Sequence, residues 1–205
     1  MSVDSKPSYY PREHMHRMVD AMVPSMAYVP GEDVEKWQEG ARKKLYDLLG
    51  IAKIEPYACD AELTIDSETV DEEQGFREIR FRFFSEVGVA VPCYLLVPLT
   101  ATKPLPVVIC LQGHSTGVHI SLGRAVYPGD EEDIMGGDRD FAIRTVKEGC
   151  VALAMEQRCF GVTKSDCPTK YDCRRGSMFA LLVGRTMIGQ RVWDVMRAID
   201  VLEAN

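Results

Sequence analysis

Hydrophobic residues recur along this chain with two different spacings, which predict where its helices and strands lie. Spacings of three and four residues predict one helix within residues 12–23 and another within residues 32–49. Strict alternation over residues 76–84 is typical of a half-buried antiparallel strand, and residues 89–97 supply its partner. A shorter strand is predicted at residues 61–65. The first half of the chain therefore predicts helices followed by an antiparallel hairpin.

Two short, unbroken apolar runs predict strands of a different kind. Residues 107–111 and 150–155 lack polar alternation, as expected of parallel strands that are buried on both faces. After a long loop that reaches about residue 137, a helix capped by Asp138 and ending near Lys147 is predicted between them. This unit should form a right-handed βαβ crossover, which places the ends of both strands on the same rim of the sheet.

The last part of the chain predicts a long helical region. Ser177 is the expected N-cap, Ala204 lies near the end, and a kink is expected at Gly184 or Gly189. One apolar stripe should pack on the sheet, and it consists of Ile188, Val192, Val195, Ile199 and Leu202. A helix that packs on a parallel sheet is normally followed by another strand.

The turn after the first parallel strand is the best place to expect chemistry, because ligands bind at the carboxyl ends of parallel strands. It reads G-H-S-T-G over residues 113–117 and matches the nucleophile-elbow pattern G-x-S-x-G. A helix directly follows an elbow serine, whereas residues 118–129 have no helical period. The only histidine after Ser115 is His119, four residues away. Ser115 is therefore the weaker alternative as nucleophile, with His119 as its base.

Composition narrows the function classes further. A net charge of -7 and a pI near 5.2 argue against a nucleic-acid surface or a polybasic membrane patch. No apolar stretch is long enough to span a membrane, and the polar N-terminus lacks a signal-peptide core, so a cytoplasmic location is expected. Glycine-rich nucleotide-binding motifs do not occur, and neither a cofactor nor a metal is expected.

Seven cysteines are spread along the chain without a C-x-x-C pair. Their odd number, with Cys110 and Cys150 inside or beside apolar runs, is typical of reduced and mostly buried thiols. Cys167 and Cys173 lie in a polar loop, where a disulfide or a metal site is the alternative.

The order of these elements, and three motifs within them, resemble the N-terminal half of an α/β-hydrolase. The motifs are P-V-V-I-C-L-Q-G-H, G-C-V-A-L-A-M-E-Q-R-C-F-G and V-W-D-V-M-R-A-I-D-V-L-E. Over about residues 76–205 the chain is similar to acetyl xylan esterase-like and dienelactone hydrolase-like esterases. The resemblance implies an α/β-hydrolase fold, in which an antiparallel hairpin leads into parallel strands with flanking helices. Residues 1–50 would be an N-terminal helical segment, and residues 51–205 would be the N-terminal half of the hydrolase domain.

The same resemblance implies roles for residues at the strand ends. The turn after the first parallel strand would be the oxyanion loop, in which His114 donates its main-chain N–H and Gly113 allows a close approach. Gln112 departs from the His-Gly of many relatives, which matters little if the donor is a main-chain group. Glu156 and Arg158 match an acidic and an arginine position of the family. They would line the rim of the site, or pair with each other and hold the loop.

No residue matches the serine, acid or histidine of the family's triad, which would lie beyond Asn205. We therefore expect a fragment of a longer serine hydrolase, or a chain completed by another polypeptide, that is inactive alone. The implied reaction is acyl-enzyme hydrolysis of a small carboxylic ester such as an acetylated sugar. The alternatives are a small hydrolase that uses Ser115, and a catalytically inactive hydrolase-like module that binds a partner through its sheet edge. Nucleic-acid and membrane partners are not expected, and a homo-oligomer is left open.

Overall fold

A five-stranded mixed sheet forms the centre of the computed structural model, which describes residues 9–165 and 171–205. The strands, in chain order, are β1 (Leu63–Asp71), β2 (Phe76–Glu86), β3 (Val89–Pro98), β4 (Val107–Cys110) and β5 (Val151–Met155). They lie side by side in the order β1, β2, β3, β5, β4. Neighbouring strands are antiparallel except for β4 and β5, which run parallel.

The helices lie before, between and after these strands. They are α1 (Pro11–Asp20), α2 (Val34–Leu49), α3 (Asp130–Met135), α4 (Phe141–Lys147), α5 (Cys173–Leu182) and α6 (Met187–Ala204). α4 packs against Ala152 and Ala154 on one face of the sheet, and α6 packs against Leu153 and Met155 on the other. Alternate side chains of β5 therefore pack against helices on opposite faces of the sheet.

The predicted antiparallel hairpin is confirmed by the ladder between β2 and β3. Phe81 lies opposite Cys93 in this ladder, and both are buried against the α6 layer. Phe76 and Leu96 point to the opposite face of the same two strands and are buried against the α4 layer. β1 adds a third antiparallel strand and is longer than the predicted strand at residues 61–65.

The structure shows that the prediction for the first parallel strand, burial on both faces, is wrong. β5 is almost fully buried, but in β4 Val107 is 45% exposed and Val108 is 42% exposed. Within the described residues β4 has β5 as its one neighbour, so its other edge is open. Cys110, at the inner end of the strand, is buried. An apolar run in the sequence cannot distinguish a central strand from an apolar edge strand.

The segment before β5 also differs from its prediction. The helix begins at Phe141, and Asp138 does not cap it, since its φ of 50° lies in the left-handed region that N-cap residues do not adopt. Asp140 stands at the N-cap position, and Arg144 binds both carboxylates at 2.6 Å. The long loop predicted before this helix contains α3, whose first turn is acidic, as the helix dipole favours.

The C-terminal region forms two helices instead of one kinked helix. Ser177 lies inside α5 and is not an N-cap. The chain turns at Gly184, whose φ is 69°, and the hydroxyl of Thr186 then caps α6 by accepting from the N–H of Gly189 at 2.9 Å. The buried face of α6 differs from the predicted stripe and consists of Gly189, Trp193, Asp194, Ala198 and Val201.

Of the described residues, 9–45 form a compact unit of their own, distinct from the described residues after 45. In this first unit, the indole N–H of Trp37 donates to the carbonyl of Met26 at 3.0 Å, and the ring packs edge-on against Tyr28. Trp37 therefore has a packing role there. Among the helices of the described residues, none combines the length and the apolar composition needed to cross a bilayer.

Candidate active site

The turn after β4 leaves an open space beside its first glycine. A methyl group placed on Gly113 would meet no atom within 4 Å. A cavity of about 220 Å³ lies here, lined by residues 112–115 together with Ile120, Arg139 and Phe141. In the part of the chain that the structure describes, the main-chain N–H groups of Gly113 and His114 have no hydrogen-bond acceptor. Two unused donors therefore adjoin an unfilled space at the end of a parallel strand.

The imidazole of His114 is held by two aromatic rings. Its centroid lies 3.7 Å from that of Tyr171 and 5.7 Å from that of Phe160, which it meets edge-on. These contacts fix the residue without engaging its main-chain N–H. The geometry is therefore compatible with the oxyanion role implied by the resemblance, and that role stays a prediction.

The structure does not bring Ser115 and His119 together. The Ser115 hydroxyl is buried and has no hydrogen-bond partner within the described residues. Nε2 of His119 lies 2.9 Å from both the Thr116 hydroxyl and Oδ2 of Asp130. A catalytic histidine uses one ring nitrogen for the nucleophile and the other for the acid, whereas here both contacts meet one nitrogen.

Asp130 is the fully buried centre of this cluster. It accepts from the Thr116 hydroxyl at 2.7 Å and from the main-chain N–H groups of Val126 and Tyr127 at 2.9 and 2.7 Å. Burial opposes the charge of Asp130, but the hydrogen bonds from Tyr127, Thr116, Val126 and His119 outweigh burial and lower its pKa. The cluster therefore ties the turn after β4 to the start of α3.

Glu156, the first residue after β5, joins the two loops at this rim. It is 2% exposed. Its Oε1 accepts from the side-chain amide of Gln112 at 2.9 Å and from the N–H of Val118 at 3.1 Å. The N–H of Val162 donates to the same carboxylate. One side chain thus links the turn after β4 with the loop after β5.

Two glycines make room for this carboxylate. A Cβ on Gly161 would overlap Oε2 of Glu156, and one on Gly117 would lie 3.1 Å from the same atom. Burial raises the pKa of Glu156 to about 7, although the hydrogen bonds from Val118, Val162 and Gln112 lower it. A carboxyl group that changes charge near neutral pH therefore lies against the turn.

Arg158 does not pair with Glu156, so that alternative is not what the structure shows. Its guanidinium donates to both oxygens of Asp194, at 2.8 and 2.7 Å, and to Oε1 of Glu86 at 2.7 Å. Arg185 donates to the other oxygen of Glu86 at 2.8 Å. Burial opposes the charge of Arg158, but the two carboxylates raise its pKa. This network holds the loop after β5 to α6 and to the end of β2, and a role of Arg158 at the rim stays a prediction.

Sequence reasoning missed the buried carboxylates that organise this region. Asp194 carried a signal, because it interrupts the apolar residues of α6 and a charge buried there needs a partner. Glu86 carried none, since its arginine partners are distant in the chain. Asp130 lay among other acidic residues of a polar segment, and nothing in the sequence distinguished it as buried. Within the described residues, no cluster of three or more histidine, cysteine or acidic side chains is arranged to hold a metal ion.

A mixed sheet covered by helices on both faces is one of the layer architectures of α/β proteins, and the α/β-hydrolase fold has it. The family model described as "Abhydrolase family" matches residues 8–199, and the chain belongs to that family. The predicted family and fold class are thereby confirmed.

Solved structures of esterases share this fold. A putative acetyl xylan esterase from Bacteroides fragilis NCTC 9343 matches with a TM-score of 0.79 and 19% identity, over 98% of this chain and 52% of that one. A glucuronoyl esterase from Solibacter usitatus matches with a TM-score of 0.50 and 15% identity, over 90% and 54% of the two chains. A methylesterase matches with a TM-score of 0.50 and 17% identity, over 78% and 31%. The chain thus spans about half the length of the first two. No curated protein matches the sequence.

Replacing Asp194 with asparagine should lower the free energy of unfolding by about 3 kcal/mol, because it leaves the buried Arg158 with one carboxylate partner instead of two. Urea unfolding followed by tryptophan fluorescence measures the change. As a control, Asp138→Asn removes a carboxylate from the exposed Arg144 and should cost less than about 1 kcal/mol. Equal, small losses in both variants would contradict the assigned role of the network.

Raising the pH from about 5 to about 8 should destabilise the protein through Glu156. The folded carboxyl keeps its proton up to about pH 7, whereas the unfolded one releases it near 4.5. The folded state therefore binds more protons in this window, and stability falls as pH rises, by at most roughly 3 kcal/mol. Urea unfolding at several pH values measures the slope.

Two variants test whether this slope belongs to Glu156. Glu156→Gln should flatten it, because the amide does not titrate. Asp130→Asn should lower stability yet keep the slope, because the pKa of Asp130 is lowered and its contribution is lost only as the solution becomes strongly acidic. An unchanged slope in Glu156→Gln would show that another group titrates there.

Proposed function

We propose that this chain supplies the oxyanion-binding part of a carboxylic ester hydrolase that acts on the acetyl ester of a sugar or a similar small ester. The observation that carries the proposal is the turn itself: within the described residues the N–H groups of Gly113 and His114 have no acceptor, and a methyl group on Gly113 would meet nothing within 4 Å. Acyl transfer develops a negative oxygen in its tetrahedral intermediate, and preorganised main-chain donors stabilise it strongly.

The family and its solved relatives support the choice of substrate. The matching structures are described as acetyl xylan, glucuronoyl and methyl esterases, which all cleave carboxylic esters. An acetyl group is small enough for the cavity of about 220 Å³ beside Gly113. The proposed reaction needs no cofactor or metal, because a serine ester intermediate forms and hydrolyses by acid–base chemistry alone.

In the proposed mechanism, a serine attacks the ester carbonyl while a histidine takes its proton and an acid orients the histidine. The main-chain N–H of His114 and a second N–H beside the serine hold the oxyanion. We place this triad outside the 205 residues. Ser115 lacks a base, and the Thr116 hydroxyl, although near His119, is 1% exposed and donates to Asp130. Within this chain Glu156 would hold the turn in the geometry that presents His114.

A second candidate function is a catalytically inactive module that binds a partner. The observation that favours it is the exposed edge of β4, where Val107 and Val108 offer an unpaired strand to an extended segment of another chain. Tight binding of a partner without turnover would distinguish this candidate from the esterase.

A serine-reactive fluorophosphonate and an acetate ester substrate test the proposal. The 205-residue chain should neither react with the probe nor release product. The polypeptide encoded by the whole reading frame should do both, with the label on a serine beyond Asn205. Labelling of Ser115 in the 205-residue chain would favour the small-hydrolase alternative. A reading frame that ends at Asn205, without an esterase partner chain, would refute the proposal.

In the active polypeptide, Gly113→Ala should lower kcat/KM for the acetate ester about 100-fold or more, because the added methyl group enters the space of the oxyanion. Stability should not change, since that methyl group meets nothing within 4 Å. Gly40→Ala is the matched control, as its methyl group makes an ordinary contact at 3.6 Å with Met26. Equal activity of both variants would show that the turn does not bind the oxyanion.

A further inference from the structure

One thiol of the loop after β5 lies beside one on the first turn of α5. Cys159 follows Arg158 in the loop after β5, and its carbonyl accepts from the N–H of Asp172 at 3.0 Å. Cys173 directly follows Asp172 and is the first residue of α5. The main chain thus holds the two cysteines side by side, although 13 residues separate them in sequence.

A glycine lets the sulfur of Cys159 approach α5 closely. A Cβ placed on Gly176 would lie 2.5 Å from the sulfur of Cys159, so this sulfur fills the notch that the glycine leaves. Cys173 lies three residues before Gly176, and residues at that spacing are neighbours on a helix surface, about 5–6 Å apart. The sulfur of Cys159 therefore lies within about one helical turn of the Cys173 side chain.

Arg191 places a positive charge against this pair. Its Nη2 donates to the sulfur of Cys173 at 3.2 Å and to the carbonyl of Arg158 at 2.6 Å. The guanidinium also lies over the ring of Phe160, 4.4 Å from its centroid, which fixes its position. A guanidinium at a sulfur stabilises the thiolate, which is the reactive form in disulfide exchange.

The backbone and the electrostatics of Cys159 agree with this arrangement. Its φ of 70° is left-handed, which is uncommon for a residue other than glycine and directs its side chain towards α5. Burial raises the pKa of Cys159, the neighbouring Cys173 raises it further, and the charge of Arg191 lowers it. Because Arg191 donates to the sulfur of Cys173, we assign Cys173 as the attacking thiol and Cys159 as the thiol that resolves the mixed disulfide.

We propose that Cys159 and Cys173 form a reversible disulfide with a small-molecule disulfide such as oxidised glutathione as the oxidant. The Cys173 thiolate attacks one sulfur of the oxidant, expels a thiolate and forms a mixed disulfide. The Cys159 thiolate then attacks the sulfur of Cys173 and expels the second thiolate. The pair loses two electrons, the oxidant gains them, and the two protein protons end on the two released thiols.

The predicted consequence is a covalent tie between the loop after β5 and α5. The bond takes the sulfur of Cys173 away from Arg191 and fixes the position of Cys159, three residues after Glu156. Oxidation should therefore reach the rim of the candidate site without altering the turn at residues 112–117. This inference does not depend on the proposed esterase activity.

The folded 205-residue chain is incubated with oxidised glutathione, its remaining thiols are alkylated, and its proteolytic peptides are mapped by mass spectrometry. The expected main product is the peptide pair joined through Cys159 and Cys173. Cys159→Ser should stop the reaction at a glutathione adduct on Cys173, and Cys173→Ser should abolish the linked pair. Cys150→Ser, which removes another half-buried thiol, should leave it unchanged.

The main competitor is Cys167, which lies outside the described residues. Cys167→Ser should leave the yield of the linked pair unchanged, and loss of the pair in this variant would overturn the proposal. In urea, disulfides of Cys167 with Cys159 or Cys173 should replace the Cys159–Cys173 disulfide as the main products. In an unfolded chain the shorter loop closes more readily, and Cys167 is closer in sequence to each of the two than they are to each other. The same preference in folded and unfolded chains would show that the fold plays no part.

Arg191→Gln tests the role assigned to the guanidinium. The first step, formation of the mixed disulfide on Cys173, should slow about tenfold, since the thiolate loses its positive neighbour. The reactivity of Cys150 in the same sample is the internal reference. Equal slowing at both cysteines would indicate a general change in the fold and would count against the assignment.

Discussion

One buried carboxylate joins the two loops at the rim of the sheet. Glu156 accepts hydrogen bonds from the turn after β4 and from the loop after β5. The N–H of Gly161 and the side-chain amide of Gln157 add direct bonds between the two segments, to the carbonyls of Thr116 and Gln112. The sequence accommodates it with glycine at the two positions where a Cβ would touch the carboxylate, Gly117 and Gly161. The position of the unused N–H of His114 is therefore set from the neighbouring strand, and not by the turn alone.

Arg158, two residues after Glu156, is also largely buried, but its hydrogen-bond partners are charged. Asp194 and Glu86 surround its guanidinium with opposite charge, so ionisation is favoured despite burial. The contacts of Glu156 are neutral donors, which compensate its burial only in part. One loop thus contains a permanently charged anchor and a titratable one, and the titratable anchor is the one that contacts the candidate site.

Local pattern was enough to predict much of the fold. The alternation in β2 and β3, the apolar core of β5 and the helical spacing of α2 are all properties of short segments, and each appears where the pattern indicates it. The order of these elements carried the resemblance to α/β-hydrolases, and the family match confirms that resemblance. Less of the candidate site could be predicted from the sequence, because most of its contacts join residues that are distant in the chain.

The failures have physical causes too. α6 has apolar residues on more than one face, and the sheet accepts the face with Ala198 and Val201, whose small side chains allow close approach, while Ile188 and Ile199 stay exposed. Gly184 was a candidate for a kink, but a left-handed φ there ends α5 outright. Spacing alone does not reveal which apolar face packs closest.

The two edges of the described sheet are protected very differently. β1 presents charged residues, among them Asp66 and Glu68, and a bulge interrupts its register, so a second copy of the chain would find a poor template there. β4 carries no charge and no bulge. The prolines at 104 and 106 shield only its entrance. Where β4 stays open, this edge is the one that offers another strand a template for pairing, and a lysine in place of Val108 would give it the kind of protection that β1 already has.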